Sequence, residues 1–291
     1  MKIRISSAID RGKVREDNED ALVFSPDLTL NQWNTDSMNA YLALNQCGAL
    51  TVVADGMGGA NAGEVASALA IEAVQQTFSP FRVSEAIDSE EKILGLLNEA
   101  IISADKDIIN KANTNPDMMG MGTTIVICWF LNDKVYITWC GDSRCYVYNA
   151  AHQLTLLTKD HSLVQEMVDN GQISAEEAFN HPDSNIITRA LGDVDGDSEP
   201  ETVVYTFQPG DTFILCTDGV CGYCTDDSIL HTINENSAKT EETCQALLNL
   251  AMDAGGQDNI GIIVASIIAD DQQQEPDGFS LGQKLMKLIG L

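Results

Sequence analysis

Four apolar, strand-like runs in this chain each meet an aspartate at one end: Val52-Val53-Ala54-Asp55, Trp139-Cys140-Gly141-Asp142, Leu215-Cys216-Thr217-Asp218 and Asp258-Asn259-Ile260. The first three aspartates follow their run and the fourth precedes it. In an antiparallel sheet the end of one strand lies beside the start of its neighbour, so all four carboxylates can converge on one rim. Glu19 and Asp20, just before Ala21-Leu22-Val23-Phe24, can join them. Converging carboxylates repel and raise one another's pKa unless cations neutralise them, so they are either held apart or filled with metal. Oxygen ligands with no histidine close by in sequence favour Mg2+ or Mn2+ over Zn2+. A single aspartate at a strand end is an ordinary turn residue. The glycines in Asp55-Gly56, Gly141-Asp142 and Asp218-Gly219 favour a site, because each lets backbone approach a ligand closely.

Strand-like runs bounded by turn residues recur at 3–9, 49–54, 123–130, 134–140, 144–148, 202–207, 212–216 and 260–267. Helical spacing joins Val65, Leu69, Ala73 and Val74, then Ile93, Leu97, Ala100, Ile101, Ala104 and Ile108, and recurs over 244–252. Strands and helices gathered in separate blocks imply an α+β fold. A hairpin turning at Asn132 and Asp133 favours antiparallel pairing. The expectation is therefore two antiparallel β-sheets packed face to face and flanked by helices, a four-layer αββα sandwich. The 291 residues fit one such domain, assigned here to 1–268, with 27–39 as a polar loop insertion. Residues 269–291 read as a flexible linker and a short amphipathic tail, with Leu281, Leu285, Leu288 and Ile289 at helical spacing. The tail is expected to dock on the domain.

The formal net charge of -28, from 16 Lys+Arg against 44 Asp+Glu, makes nucleic acid an unfavourable partner. Residues 1–10 lack the apolar run of a signal peptide, and no stretch approaches the 18 apolar residues of a spanning helix. A cytoplasmic protein without a transmembrane segment is expected. Eight cysteines are too few for a disulfide scaffold in a chain of this length. Cys221 and Cys224 form a Cys-x-x-Cys pair, but without a second pair or a suitably spaced histidine they read as small hydrophobes. The run Asp193 to Asp197 imitates the start of a calcium loop. Val204 stands where that loop needs a bidentate glutamate, so the run reads as a polar turn.

Read together and in order, Arg15-Glu16-Asp17-Asn18-Glu19-Asp20, Asp55-Gly56-Met57-Gly58-Gly59, Gly122-Thr123-Thr124, Gly141-Asp142-Ser143-Arg144, Asp218-Gly219 and Asp258-Asn259 are distinctive. They resemble the metal-dependent type 2C Ser/Thr protein phosphatases in their bacterial form. The resemblance covers about residues 1–268 and includes a segment, about 162–192, similar to the family's mobile flap. It implies an enzyme that hydrolyses phosphoserine and phosphothreonine by direct attack of a water bridging two divalent metals, Mn2+ or Mg2+. By the same resemblance Asp55 bridges the two metals, Asp218 and Asp258 complete the first site, and Glu19 and the Gly56 carbonyl serve the second. Asp20 then holds metal-bound waters, Arg15 grips the phosphate, and Asp142 with Asp218 makes a third, weaker metal site. Arg15 otherwise pairs with Glu16 or Asp17 at the surface. Animal members carry a histidine after Asp-Gly, whereas this chain has Met57, so a metal-bound water is the expected proton donor.

Phosphorylated proteins, a cognate Ser/Thr kinase and a monomeric state complete the expectation. Cysteine-based phosphatase chemistry requires an arginine six residues after the nucleophile, and none of the eight cysteines has one. Two rivals are a non-catalytic pseudophosphatase that holds a phosphoprotein and a dedicated switch regulator of one substrate. Loss of Asp55, Asp218 or Asp258 would favour the first, and all three are present.

Overall fold

A computed structural model describes residues 1–38, 40–58, 62–193, 198–236 and 239–270. The chain begins with β1 (Lys2–Asp10), β2 (Asp20–Ser25), β3 (Leu42–Ala43) and β4 (Ala49–Met57). Three helices follow, α1 (Ala62–Thr77), α2 (Pro80–Ala86) and α3 (Glu90–Thr114). Then come β5 (Gly122–Thr123), β6 (Ile125–Leu131), β7 (Lys134–Cys140), β8 (Arg144–Tyr148) and β9 (Leu154–Leu156). Short α4 (Leu163–Asp169) and α5 (Ala175–Phe179) lead to β10 (Glu201–Thr206) and β11 (Thr212–Cys216). The last elements are α6 (Asp218–Cys221), α7 (Asp226–Asn236), α8 (Thr240–Asp253) and β12 (Ile260–Ile268).

The strands form two antiparallel sheets. One runs β3-β1-β12-β11-β8-β9 and the other β10-β7-β6-β4-β2, with β5 paired to β4. Alternation along each strand sends one set of side chains between the sheets and the other outward. On β7, Val135, Ile137 and Trp139 enter the inter-sheet core, while Tyr136 faces α1 to α3 on the outer side of the second sheet. On β12, Ile263, Ala265 and Ile267 point between the sheets, and Ile260, Ile262 and Val264 pack on α6 to α8. Both faces of each sheet are thus covered, which is why β6 and β11 are buried at every position. The result is the expected αββα sandwich. α3 begins at a capped end: the Ser89 hydroxyl accepts from the Lys92 N–H at 3.3 Å.

Several boundaries differ from the sequence expectation. The run 123–130 divides into β5 and β6 at Thr124, whose N–H turns back to the Asp55 carbonyl (2.9 Å). Asp55 does not follow its strand but lies within it, because β2 and β5 continue the ladder through Met57. The described part of the 27–39 insertion is irregular but tied down. Phe24 and Asn34 exchange backbone bonds, Met38 N–H donates to the Ile5 carbonyl, and Leu28 is buried. Residues 194–197, within the run expected to be a polar turn, and the expected tail from 271 onward lie outside the described residues.

Candidate active site

The second sheet brings Asp20 and Asp55 together. Asp20 opens β2 directly across the ladder from Asp55 on β4. The Asp55 backbone is clamped from behind: its N–H donates to Thr124 Oγ1 (3.1 Å), and its carbonyl accepts from Thr124 N (2.9 Å) and Thr123 Oγ1 (2.8 Å). The Gly-Thr-Thr run therefore supports the aspartate. Gly141, with φ of 109°, sits against the same threonine, and a Cβ there would lie 2.6 Å from Thr124 Cβ. Only glycine lets the β7–β8 turn approach this closely and carry Asp142 into the rim.

The first sheet supplies the other half. Asp218 starts α6 immediately after β11, and Asp258 stands just before β12. Gly219 packs so tightly on the Asn259 carbonyl that a Cβ would lie 1.8 Å from it. Asn259 then ties down the loop between β1 and β2. Its Oδ1 accepts from Glu19 N (2.8 Å), and its Nδ2 donates to the carbonyls of Arg11 (3.0 Å) and Asp17 (2.9 Å). Thr217 joins the two sheets: its hydroxyl donates to Asp20 Oδ2 and accepts from Gly261 N, both at 2.8 Å. Neither role was legible in the sequence, although both residues sit inside motifs that flag their aspartate neighbours.

The rim is electrostatically costly. Burial, reinforced by neighbouring carboxylates, pushes Asp20, Asp55 and Asp142 well above the usual carboxylate range. Asp218 is pushed up to about 6 by burial and then by Asp258. Asp218 is the largest neighbouring contributor to the rise at Asp55, after burial. Burial also raises Glu19, against the opposing pull of the Gly63 N–H and Arg15. A Cβ on Gly56 would lie 2.2 Å from the Gly63 carbonyl and 2.5 Å from that of Glu19, so helix α1 presses directly on this side of the site. Asp20 Oδ1 and Asp142 Oδ1 are buried without a hydrogen-bond partner. Among the described residues no three carboxylate, imidazole or thiol groups already surround one point at coordination distance.

Arg15, half exposed, is not paired with Glu16 or Asp17. Its Nη2 donates to Asp258 Oδ2 at 2.6 Å, so the guanidinium stands at the mouth of the rim. Met57 closes β4 and brings no ionisable group. Cys221, the last residue of α6, and Cys224, between α6 and α7, are buried and unbridged in the cluster that packs these helices on the first sheet. A contact with Cys216 together with burial raises the Cys221 thiol, and burial pushes Cys224 up to about 11, so both behave as small hydrophobes.

The chain as a whole has known relatives. The family model described as protein phosphatase 2C matches residues 7–260. The serine/threonine phosphatase Stp of Listeria monocytogenes is 36% identical over 256 residues, covering 88% of this chain and 92% of that protein. The serine/threonine protein phosphatase PstP of Mycobacterium tuberculosis is 32% identical over 277 residues, 94% of this chain but 47% of PstP. The crystal structure of the M. tuberculosis phosphatase superposes with a TM-score of 0.74 at 32% identity, covering 92% of this chain and all of that one. A PstP catalytic domain in complex with two manganese ions superposes with a TM-score of 0.70 at 31% identity, covering 92% of this chain and 99% of that one. With the family model matching most of the chain, a relative above 30% identity over most of its length, and the same sandwich in the solved structures, the chain belongs to the protein phosphatase 2C family.

Proposed function

We propose that the rim binds two divalent cations, Mn2+ or Mg2+, with Asp55 between them, Asp218 and Asp258 on the first, and Glu19 and the Gly56 carbonyl on the second. As a member of its family the protein is a metal-dependent Ser/Thr phosphoprotein phosphatase. The observation that carries the assignment is the pair of buried, partnerless oxygens on Asp20 and Asp142, set beside Asp55, Asp218 and Glu19, whose ionised forms burial penalises. Hard cations relieve that penalty, and an all-oxygen donor set suits them. Bound there, such a pair activates water near neutral pH and offsets charge on the phosphoryl group.

The remaining roles belong to the chain's own residues. Asp20, held by Thr217, orients water next to the cations. Asp142 and Asp218 form a third, weaker cation position. Arg15 exchanges its contact with Asp258 for the substrate phosphate, a role suited to its planar fork of donors. The segment 162–192 acts as a flap over the rim, within a catalytic domain of residues 1–268. With Met57 in place of a side-chain acid, a water held at the cation site would supply the leaving oxygen's proton. The same reading has the enzyme acting as a cytoplasmic monomer on phosphorylated proteins, opposing a Ser/Thr kinase. No helix among the described residues is long and apolar enough to cross a membrane.

Phosphate release from a phosphothreonine peptide tests the proposal. Activity is expected with Mn2+ and lost on chelation, and activity that survives the chelator contradicts the two-cation assignment.

A further inference from the structure

We infer that His161 is a positioning residue that latches the 162–192 segment to the turn carrying Asp142; the inference rests on the reading of Asp142 given above. His161 is 6% exposed and brackets Gly141 from both sides. Its backbone N–H donates to the Gly141 carbonyl (3.0 Å), and its ring Nδ1 accepts from the Gly141 N–H (3.1 Å). Because Nδ1 accepts, the ring proton sits on Nε2. Nε2 lies 3.3 Å from Glu201 Oε1, outside hydrogen-bond alignment, and the same oxygen accepts from Arg189 Nη1 at 3.3 Å. The imidazole also stacks on Trp139, with centroids 6.1 Å apart and planes 18° apart, and Trp139 Nε1 donates to the Lys159 carbonyl (2.8 Å).

The segment stands on two feet. At its near foot Arg144 grips Asp160 with two bonds of 2.9 and 2.7 Å, and the His161 carbonyl accepts from Thr188 N (2.8 Å). Leu163 N–H reaches the Ile186 carbonyl (2.9 Å), so the excursion closes on itself there. At its far foot Leu191 and Thr123 exchange backbone bonds of 3.0 and 2.9 Å, and Thr123 is the residue that backs Asp55. His161 therefore lies where the near foot, the returning chain and the Gly141 turn meet. Gly141 has the backbone freedom to swing Asp142 away from the rim. Bonds on both its N–H and its carbonyl remove that freedom. The ring does not replace the missing acid, since it is buried and Nδ1 is already committed to Gly141.

The test compares His161→Ala, His161→Asn and His161→Gln in the full chain, with Asp142→Asn as control. Asparagine places an acceptor where Nδ1 stood, and glutamine places its amide nearer Nε2. Two quantities are read: kcat and KM on a phosphothreonine peptide in saturating Mn2+, and cleavage by a Glu-specific protease at Glu166, Glu176 and Glu177. The Ala and Gln variants are expected to lose about tenfold or more in kcat with little change in KM, as supporting partners of ligands do, and to be cleaved faster. The Asn variant is expected to stay close to wild type in both. Equal behaviour of Asn and Gln at equal melting temperature overturns the latch, as does an Ala variant with wild-type kcat and cleavage. If the Ala variant fails to fold, the Asn and Gln comparison decides. An inactive Asp142→Asn beside a fully active His161→Ala sinks the latch alone. A fully active Asp142→Asn removes the role given to Asp142, and the protease comparison still decides whether His161 holds the segment.

Discussion

Thr217 does two jobs through one oxygen, donating to Asp20 and accepting from Gly261 N–H in a fully buried position. Valine has nearly the same shape but leaves that N–H without a partner. Thr217→Val should therefore cost about 1–3 kcal/mol in urea unfolding, and Thr217→Ser should recover most of it. An unaltered midpoint for the valine variant would mean that the contact carries no energy. Arg15 makes a sharper kinetic statement. Its charge-assisted contact to phosphate would exist already in the ground state, so Arg15→Ala should raise KM for phosphopeptides about tenfold with a smaller change in kcat. Lysine should not restore it, because it lacks the planar fork. At this scale the sequence was legible where residue type announces chemistry, as in the Asp-Gly pairs. It was illegible where an ordinary residue works through a partner about 200 positions away, as Thr217 does for Asp20 and Asn259 does for Glu19.

Among the elements, the long strands could be read from their apolar runs because both faces of each sheet are covered. The helices α4 to α6 could not, being at most seven residues long, too short to display a 3.6-residue period. β3 and β9, of two and three residues, exist only through pairing with β1 and β8. The misplacement of Asp55 at a strand end has the same origin, since β2 and β5 extend β4 by tertiary pairing. The β7–β8 turn offers a direct test of how such an element sets the site. Gly141→Ala forces a Cβ to within 2.6 Å of Thr124 at a φ of 109°. It should lose about 1–3 kcal/mol by the strain alone, and activity with it, in a paired thermal melt and phosphatase assay. Wild-type values in both would show that the turn does not need glycine.

For the whole molecule, the acidic excess and the rim make different claims on stability. Cations that bind the folded rim and not the unfolded chain add about 2.7 kcal/mol per independent site at 100 times Kd. Screening of a -28 surface also stabilises, but potassium chloride at equal ionic strength reproduces it. Wild type should thus gain melting temperature in Mn2+ beyond the salt control, and Asp55→Asn should lose the excess. Identical responses would reduce the rim to a solvated acidic surface. The pH dependence follows from Asp218, whose folded pKa of about 6 exceeds its ordinary 3.8. Between those values the folded chain keeps a proton that the unfolded chain releases, so the Asp218 contribution to stability is lost as pH rises through about 6. A cation that takes the proton's place should accordingly raise the melting temperature more at pH 7 than at pH 5. A Mn2+ increment independent of pH would contradict that coupling.

The carboxylates belong to different sheets: Asp20 and Asp55 to one, Asp218 and Asp258 to the ends of strands in the other, with Asp142 on the turn that crosses between them. Elsewhere the two sheets meet through apolar side chains such as Phe130 and Phe213, which can slide. A cation shared across the rim would instead act as a rivet at one end of the sandwich. Amide deuterium uptake at the rim ends of β2, β4, β11 and β12 should then slow together when Mn2+ is added, while the opposite ends of the same strands change little.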